Sequence, residues 1–311
     1  MKEFDGIWIE KYRPATFDRI ILGPATREKL EEYKTSGAIP NLLFCSSPGQ
    51  GKTTLAKIIV NDILDCQYLY INASDENGID TIRAKVVNFA QTKSIDGKVK
   101  AVILDEADFL TAQAQGALRN TMETYASLCR FILTANTKHK IIPAIQSRCT
   151  KLDISAPLRL AAVRCVEIVE TEIGPISSDD KKRVIEIIKR NFPDIRSAIN
   201  ELQLSVVSGK LTTSIKLINT AFCGEVLDLV RKKKALKARE ILISSEQEFN
   251  GDYPQFMKEL LNLIFSSSDD DDLKAQWCMI IADHLFRSSL VADQEINNFH
   301  CLLNMQNVKT S

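Results

Sequence analysis

The stretch Ser46-Ser47-Pro48-Gly49-Gln50-Gly51-Lys52-Thr53-Thr54 sets glycines, a lysine and paired hydroxyls within one short loop. It follows the apolar run Leu42-Leu43-Phe44, which reads as a buried strand. It precedes Leu55-Ala56-Lys57-Ile58-Ile59-Val60, which reads as a helix. The backbone N–H groups of such a loop, together with a helix N-terminus, attract anions. Lys52 can neutralise the β- and γ-phosphates of a nucleotide, and the Thr53 hydroxyl can ligate Mg2+. The usual pattern opens with Gly five residues before Gly51, and here that residue is Ser46. A serine serves there only if the turn does not demand a positive φ.

A second constellation strengthens the first. Ala101-Val102-Ile103-Leu104 reads as a short apolar strand ending in Asp105-Glu106-Ala107-Asp108. In an open parallel sheet, ligands sit at the carboxyl ends of the strands. Asp105 is therefore placed to hold the Mg2+ directly or through water, and Glu106 to polarise an attacking water as general base.

These loops need a scaffold, and the surrounding pattern supplies one. Gln67 to Asn72 and Phe131 to Asn136 read as strands. Ile79 to Gln91 carries apolar residues at 79, 82, 86 and 89, a helical stripe, and a further helix is expected from about Thr111 to Tyr125. Strands alternating with helices predict an α/β domain built on a parallel sheet, over residues 1–153. Three helical stretches follow, at about 157–173, 179–191 and 194–207, punctuated by Gly174-Pro175 and Phe192-Pro193. They predict a small three-helix domain over 154–212. Residues 213–311 read as all-α, with stripes at 225–243 and 273–289. The run Asp269 to Asp272 reads as a solvated loop between helices. There is no internal repeat.

Bulk properties narrow the setting. A chain of 311 residues exceeds one compact core, and 45% hydrophobic with 26% charged residues is ordinary for a globular protein. No apolar run reaches the 18 or so residues of a membrane span, and Met1 to Gly6 is not followed by a signal-peptide core. Eight scattered cysteines with no Cys-x-x-Cys pair, and only three histidines, argue against zinc and for reduced thiols in a cytosol. Forty basic residues balance forty acidic ones. Nucleic-acid binding would therefore need a local patch, or its repetition in an assembly.

An α/β nucleotide domain followed by a helical lid resembles the AAA+ ATPases. Trp8-Ile9-Glu10-Lys11-Tyr12-Arg13-Pro14 resembles the opening box of replication factor C small subunits and of tailed-phage clamp-loader ATPase subunits. So do Asn72-Ala73-Ser74-Asp75 with Gly78-Ile79-Asp80, and Ser147-Arg148-Cys149. Asn191-Phe192-Pro193-Asp194-Ile195-Arg196 is similar to the phage version, which the short chain also favours. The resemblance runs over roughly residues 7–210; beyond that it rests on length and helicity. It implies a RecA-like domain, a lid and a helical collar.

The resemblance also implies roles. Ser47, Pro48, Gly49, Gln50, Gly51, Lys52, Thr53 and Thr54 would bind the nucleotide, with Thr53 and Asp105 at the metal. Lys11, Tyr12, Arg13 and Pro14, with Ile21 and Leu22, would line the adenine pocket; the alternative is an arm packed on the core. Asn136 would be a first sensor, holding the attacking water with Glu106. Arg196, from the lid, would be a second sensor at the γ-phosphate; the alternative is a surface arginine pairing with Glu201 or a neighbour. Arg148 would act in trans on a neighbour's nucleotide, and Glu123 would face the neighbouring site. Arg83 and Arg119 would contact DNA, unless Arg83 pairs with Asp75, Glu76 or Asp80. Gln115 would couple DNA to the catalytic site, or be a plain surface residue. Asp75-Glu76-Asn77-Gly78 lacks the basic residue that some phage relatives carry, so the partner restraining Glu106 is unassigned.

The implied function is an ATP- and Mg2+-dependent, DNA-stimulated ATPase of a sliding-clamp loader. Its partners would be a ring clamp, primer–template DNA and other loader subunits in a pentameric assembly, in the cytoplasm, or the host cytoplasm if phage-encoded. Two rivals stand beside it. Another AAA+ motor on DNA would need a pore-loop aromatic or translocation hairpin, and none is evident between residues 72 and 100. A non-hydrolysing structural subunit fits poorly with the intact set Lys52, Thr53, Asp105, Glu106, Asn136 and Arg148.

Overall fold

A computed structural model describes residues 6–94, 97–212, 220–246, 249 and 251–308. It divides into two compact units, Met1–Thr212 and Thr213–Ser311. The expected boundary at 153/154 lies inside the first unit. Residues 213–219, the expected start of the collar, lie outside the described residues, as do Met1 to Asp5.

The first unit is built on a five-stranded sheet. Its strands are β1 (Leu42–Cys45), β2 (Tyr68–Asn72), β3 (Lys100–Asp105), β4 (Cys129–Ala135) and β5 (Thr150–Lys151), in the order β2-β3-β4-β1-β5. All four pairings are parallel. β1, β3 and β4 are covered on both faces, which is why they read as unbroken apolar runs. β2 lies at an edge and leaves Tyr68 and Tyr70 partly exposed. This order sets the carboxyl ends of β3, β4 and β1 side by side. The Ser46 N–H donates to the Ala135 carbonyl at 3.3 Å, stitching the phosphate loop to the end of β4.

Helices flank the sheet. Lys52–Ile58 follows the loop and continues as a wider turn over Ile59–Ile63. Residues 79–91 form one helical run, with π geometry over Ile82–Val87, and bury Ile82, Val86 and Ala90. The wider turn rotates the stripe, so position 90 is buried and Phe89 is only partly so. Ala112–Thr124 is capped by the Thr111 hydroxyl, which accepts from the Ala114 N–H.

Three helices, Leu158–Ile173, Ser178–Asn191 and Ile195–Ser205, share a separate core of Cys165, Ile168, Val169, Val184, Ile188, Ala198 and Leu202. The third stops at Ser205, not 207. Val206–Val207 instead pairs antiparallel with Lys210–Leu211 around Ser208 and Gly209, both at positive φ, a tight hairpin that suits β-branched valines. Trp8 is buried in this same helical core. The start of the arm thus packs on the lid, while Phe17, Ile20 and Leu22 pack in the core of the sheet.

The second unit contains the helices Thr220–Arg231, Ala235–Ser244, Tyr253–Ser266, Asp271–Arg287 and Gln294–Gln306. The stripe expected as continuous over 225–243 is broken after Arg231, with Lys233 at φ 57°. The acidic run is no loose loop either. Asp269 pairs with Arg231, and Asp270 caps the next helix by accepting from the Asp272 N–H at 3.0 Å. Asp271 and Asp272 sit in its first turn, where the helix dipole favours negative charge. No helix among the described residues is long and apolar enough to cross a membrane.

Candidate active site

Gly49 and Gly51 adopt positive φ, 75° and 85°, whereas Ser46 does not. The two glycines make the turns, so serine is tolerated where the usual pattern has glycine. A side chain at Gly49 would also meet the lid: a Cβ there would lie 1.7 Å from Asp194 Oδ1. Asp194 itself caps the helix Ile195–Ser205, accepting from the Ser197 N–H at 3.0 Å. Sheet and lid thus touch at the phosphate loop.

Lys52 is buried and forms no ion pair among the described residues. Its ammonium donates to the carbonyls of Ser46 and Ser47 at 2.7 and 2.8 Å. An ammonium carries three donors, so one remains for an incoming anion. Burial pulls its pKa below the ordinary lysine range, opposed by the nearby Asp105 and Asp108 carboxylates.

Thr53 Oγ1 lies 2.8 Å from both carboxylate oxygens of Asp105. Thr134 donates to Asp105 Oδ1 at 2.6 Å, and the Tyr70 hydroxyl donates to Oδ2 at 2.8 Å. A carboxylate and a hydroxyl are hard oxygen donors, the set Mg2+ accepts. Glu106 follows at φ 54°, a left-handed backbone that is costly for a non-glycine residue and recurs where side chains are aimed for function. Its N–H donates to Thr134 Oγ1 at 2.9 Å. No side chain among the described residues donates to the Glu106 carboxylate, so no restraining partner is identified. Asp108 accepts from the N–H groups of Asn136 and Thr137, both at 3.2 Å, holding the end of β4 against the end of β3.

One cleft gathers Pro48 to Thr54, Asp105, Glu106 and Asn136 with Arg13 and Arg196. Lys57, Tyr70 and Thr134 line it too, and sequence reasoning missed all three. Ser47 enters through its carbonyl to Lys52. An adjoining apolar pocket is walled by Tyr12, Arg13, Pro14 and Ile21, by Gly49 to Gly51 and Thr54, and by Ile195, Arg196 and Ile199 of the lid. Lys11 and Leu22 line a neighbouring cleft instead. Lys11 bonds Glu172 at 2.8 Å, and the Tyr12 hydroxyl donates to the same carboxylate. Burial and that carboxylate push the Tyr12 pKa up to about 12.

The remaining residues lie elsewhere. Arg196 is not bound to Glu201, which bonds Arg190 and Asn191. Arg148 does not line the cleft; its guanidinium donates to Glu123. Gln115 is buried, not a surface residue: it donates to the carbonyls of Leu110 and Lys140 and accepts from the Ile142 N–H. It ties the helix Ala112–Thr124 to the segment after Asn136. Arg83 and Arg119 are exposed and, among the described residues, in no ion pair. Glu76 pairs with Lys85, which removes it as a partner for Arg83. The Arg119 guanidinium donates to the Asn120 side chain.

Comparison with known proteins agrees with this architecture. Residues 42–156 match the model of the ATPase family associated with various cellular activities (AAA). Residues 158–216 match that of the sliding-clamp-loader large subunit, AAA+ ATPase lid domain. The Thermotoga maritima RuvB Holliday junction branch migration motor is similar in fold, with a TM-score of 0.51 at 19% identity over 94% of this chain and 90% of that one. The replication factor C small subunit of Archaeoglobus fulgidus is 36% identical over 308 residues, 95% of each chain. Replication factor C small subunit 1 of Pyrobaculum islandicum is 36% identical over 93% of this chain and 91% of its own. The similarity thus runs beyond residue 210, and chain length does not separate this protein from cellular relatives. The chain belongs to the replication factor C small-subunit family of AAA ATPases.

Proposed function

We propose that the chain is an ATPase subunit of a sliding-clamp loader, and that ATP binding, DNA binding and assembly are coupled through the cleft described above. One observation carries this reading. Lys52, Thr53, Asp105, Glu106, Asn136 and Arg196 share one cleft, while Arg148 lies outside it on the surface. An arginine that does not line its own chain's cleft suits an assembly in which each nucleotide is completed by a neighbour.

Thr53 and Asp105 would hold Mg2+, which when bound offsets charge on the β- and γ-phosphates. Lys52 would turn its free donor to the same phosphates. Glu106 would accept the proton of the attacking water, and Asn136 would orient that water. Arg196 would draw the lid over the triphosphate, and a neighbour's Arg148 would stabilise the charge that develops on transfer. The apolar pocket beside Pro14 and Ile21 would take the adenine. We assign the three segments 1–153, 154–212 and 213–311 to nucleotide domain, lid and collar. The partners would be a ring clamp, primer–template DNA and further loader subunits in a cytoplasmic setting.

Arg83 and Arg119 are exposed basic groups that form no ion pair among the described residues, which suits phosphate contacts repeated about an assembly axis. The test is ATP hydrolysis by the assembled protein with and without primer–template DNA and a ring clamp. Hydrolysis should rise with DNA. The paired change Arg83→Ala with Arg119→Ala should abolish that rise, spare the basal rate and flatten the salt dependence of DNA binding. A rate indifferent to DNA and clamp would favour another kind of AAA+ motor. No hydrolysis at all would favour a structural subunit.

A further inference from the structure

The Asp105 carboxylate is gripped from two sides. Thr134 donates to one oxygen at 2.6 Å and Tyr70 to the other at 2.8 Å, while Thr53 Oγ1 sits 2.8 Å from both. An ionised carboxylate offers about four lone-pair sites, and a hydroxyl has a single proton. Thr53 therefore shares one proton between the two inner sites, and Thr134 and Tyr70 occupy the outer ones. When Thr53 turns a lone pair toward a cation it stops donating to Asp105. Both inner sites then come free, and they converge on the place where Thr53 points.

Tyr70 reaches this position from the edge of the sheet. Strand register sets Asn72 beside Asp105 and Tyr70 beside Ile103, so the tyrosine side chain reaches forward along the strand to the carboxylate. Tyr70 is 38% exposed, and the Lys57 ammonium lies 4.8 Å from its ring centroid. Apolar packing alone gives no reason for a half-exposed tyrosine to aim its hydroxyl at a 6%-exposed aspartate in the phosphate cleft. Thr134 makes the matching contact, but it also accepts the Glu106 N–H, so its removal would disturb two groups at once.

We propose that Tyr70 is a positioning residue for the Mg2+ of the bound nucleotide. Its hydroxyl fixes the plane of the Asp105 carboxylate, so that the lone pairs facing Thr53 are presented to the cation without a reorientation. This rests on the reading of the cleft as a Mg2+ and ATP site. Partners that orient a metal ligand from behind typically change metal affinity by about 10–100-fold. A partly solvated hydroxyl belongs at the lower end.

Tyr70→Phe keeps the ring and its contact with Lys57 and removes only the hydroxyl. Binding of a fluorescent ATP analogue to the full-length protein is titrated against Mg2+, with no turnover required. The half-saturating Mg2+ concentration should rise about tenfold, while binding in EDTA stays as in the parent protein. Added to Asp105→Asn, the same change should have no further effect, because its route runs through that carboxylate. Coincident Mg2+ titrations would overturn the proposal. So would an equal loss of affinity with and without Mg2+, or a further loss on the Asp105→Asn background. A parent protein whose nucleotide binding ignores Mg2+ would instead overturn the reading of the site, and the role of Tyr70 with it.

Discussion

Arg148 and Glu123 pair within a single chain, the Arg148 Nε donating to Glu123 Oε1 at 2.7 Å while another guanidinium nitrogen donates to the Ala144 carbonyl at 2.6 Å. The arginine side chain is 34% exposed and the glutamate 51%. Exposed pairs of this kind contribute roughly 0.2–1 kcal/mol, so an arginine held this way is readily given up to a stronger anion. Glu123→Gln should therefore shift the stability of the isolated chain by no more than about 1 kcal/mol, read by denaturant unfolding. A larger loss would make Glu123 a structural anchor.

Glu106→Gln should keep ATP binding and lower the DNA-stimulated rate by about 10²–10⁴. The amide fits the same space but cannot take a proton. Nucleotide titration and steady-state hydrolysis on one preparation separate the two effects. A rate within twofold or so of the parent would remove Glu106 as the base.

Gly49→Ala faces two obstacles, a φ of 75° and a Cβ placed 1.7 Å from Asp194 Oδ1. The backbone strain alone is about 1–2 kcal/mol, and the collision pushes the lid away from the loop. ATP affinity should fall about tenfold or more, the equivalent of some 1.4 kcal/mol. Asp194→Ala should relieve the collision but cost its helix about 1 kcal/mol of cap. Calorimetric titration of the single and double variants reads both.

The tie between arm and lid carries a pH signature. Burial alone would raise the Glu172 pKa, but hydrogen bonds from Lys11 and Tyr12 outweigh it and hold the carboxyl below its ordinary range. A depressed folded pKa gives stability that is present above the unfolded value and lost as pH falls through the folded one. The stability difference between the parent and Glu172→Gln should thus be flat from about pH 6 to 8 and shrink below about pH 4.5. Thermal melting across that range checks it. A difference that grows toward acid would reverse the sign of the argument.

The chemistry of the phosphate loop is local, and so it was readable. Gly49, Gly51, Lys52 and Thr53 lie within a few residues, and apolar runs mark β1 and β3 on either side of the charge. Contacts between distant segments were not readable. Trp8 meets the lid through Gln203, 195 residues away, and nothing in its own neighbourhood signals that. Tyr70 alternates as an edge-strand residue should, and only the register of β2 on β3 carries its hydroxyl to Asp105. Gln115 falls on the helix face of the buried Leu118 and Met122, but a polar amide can be buried there only because Leu110, Lys140 and Ile142 offer it backbone partners. Helix ends failed where one residue overrides periodicity: Lys233 adopts a left-handed turn inside an otherwise continuous stripe.

On the proposed function, each ATP site is completed by Arg148 of a neighbouring chain. This is tested most directly by mixing two inactive variants, Arg148→Ala and Lys52→Ala, in the presence of primer–template DNA. Each alone should hydrolyse ATP about 10³-fold or more slowly than the parent assembly, and Arg148→Ala chains should still bind ATP. In mixed assemblies some interfaces pair an intact phosphate loop with an intact finger, and hydrolysis should return at those interfaces. No recovery in mixtures shown to co-assemble would contradict a finger acting between chains.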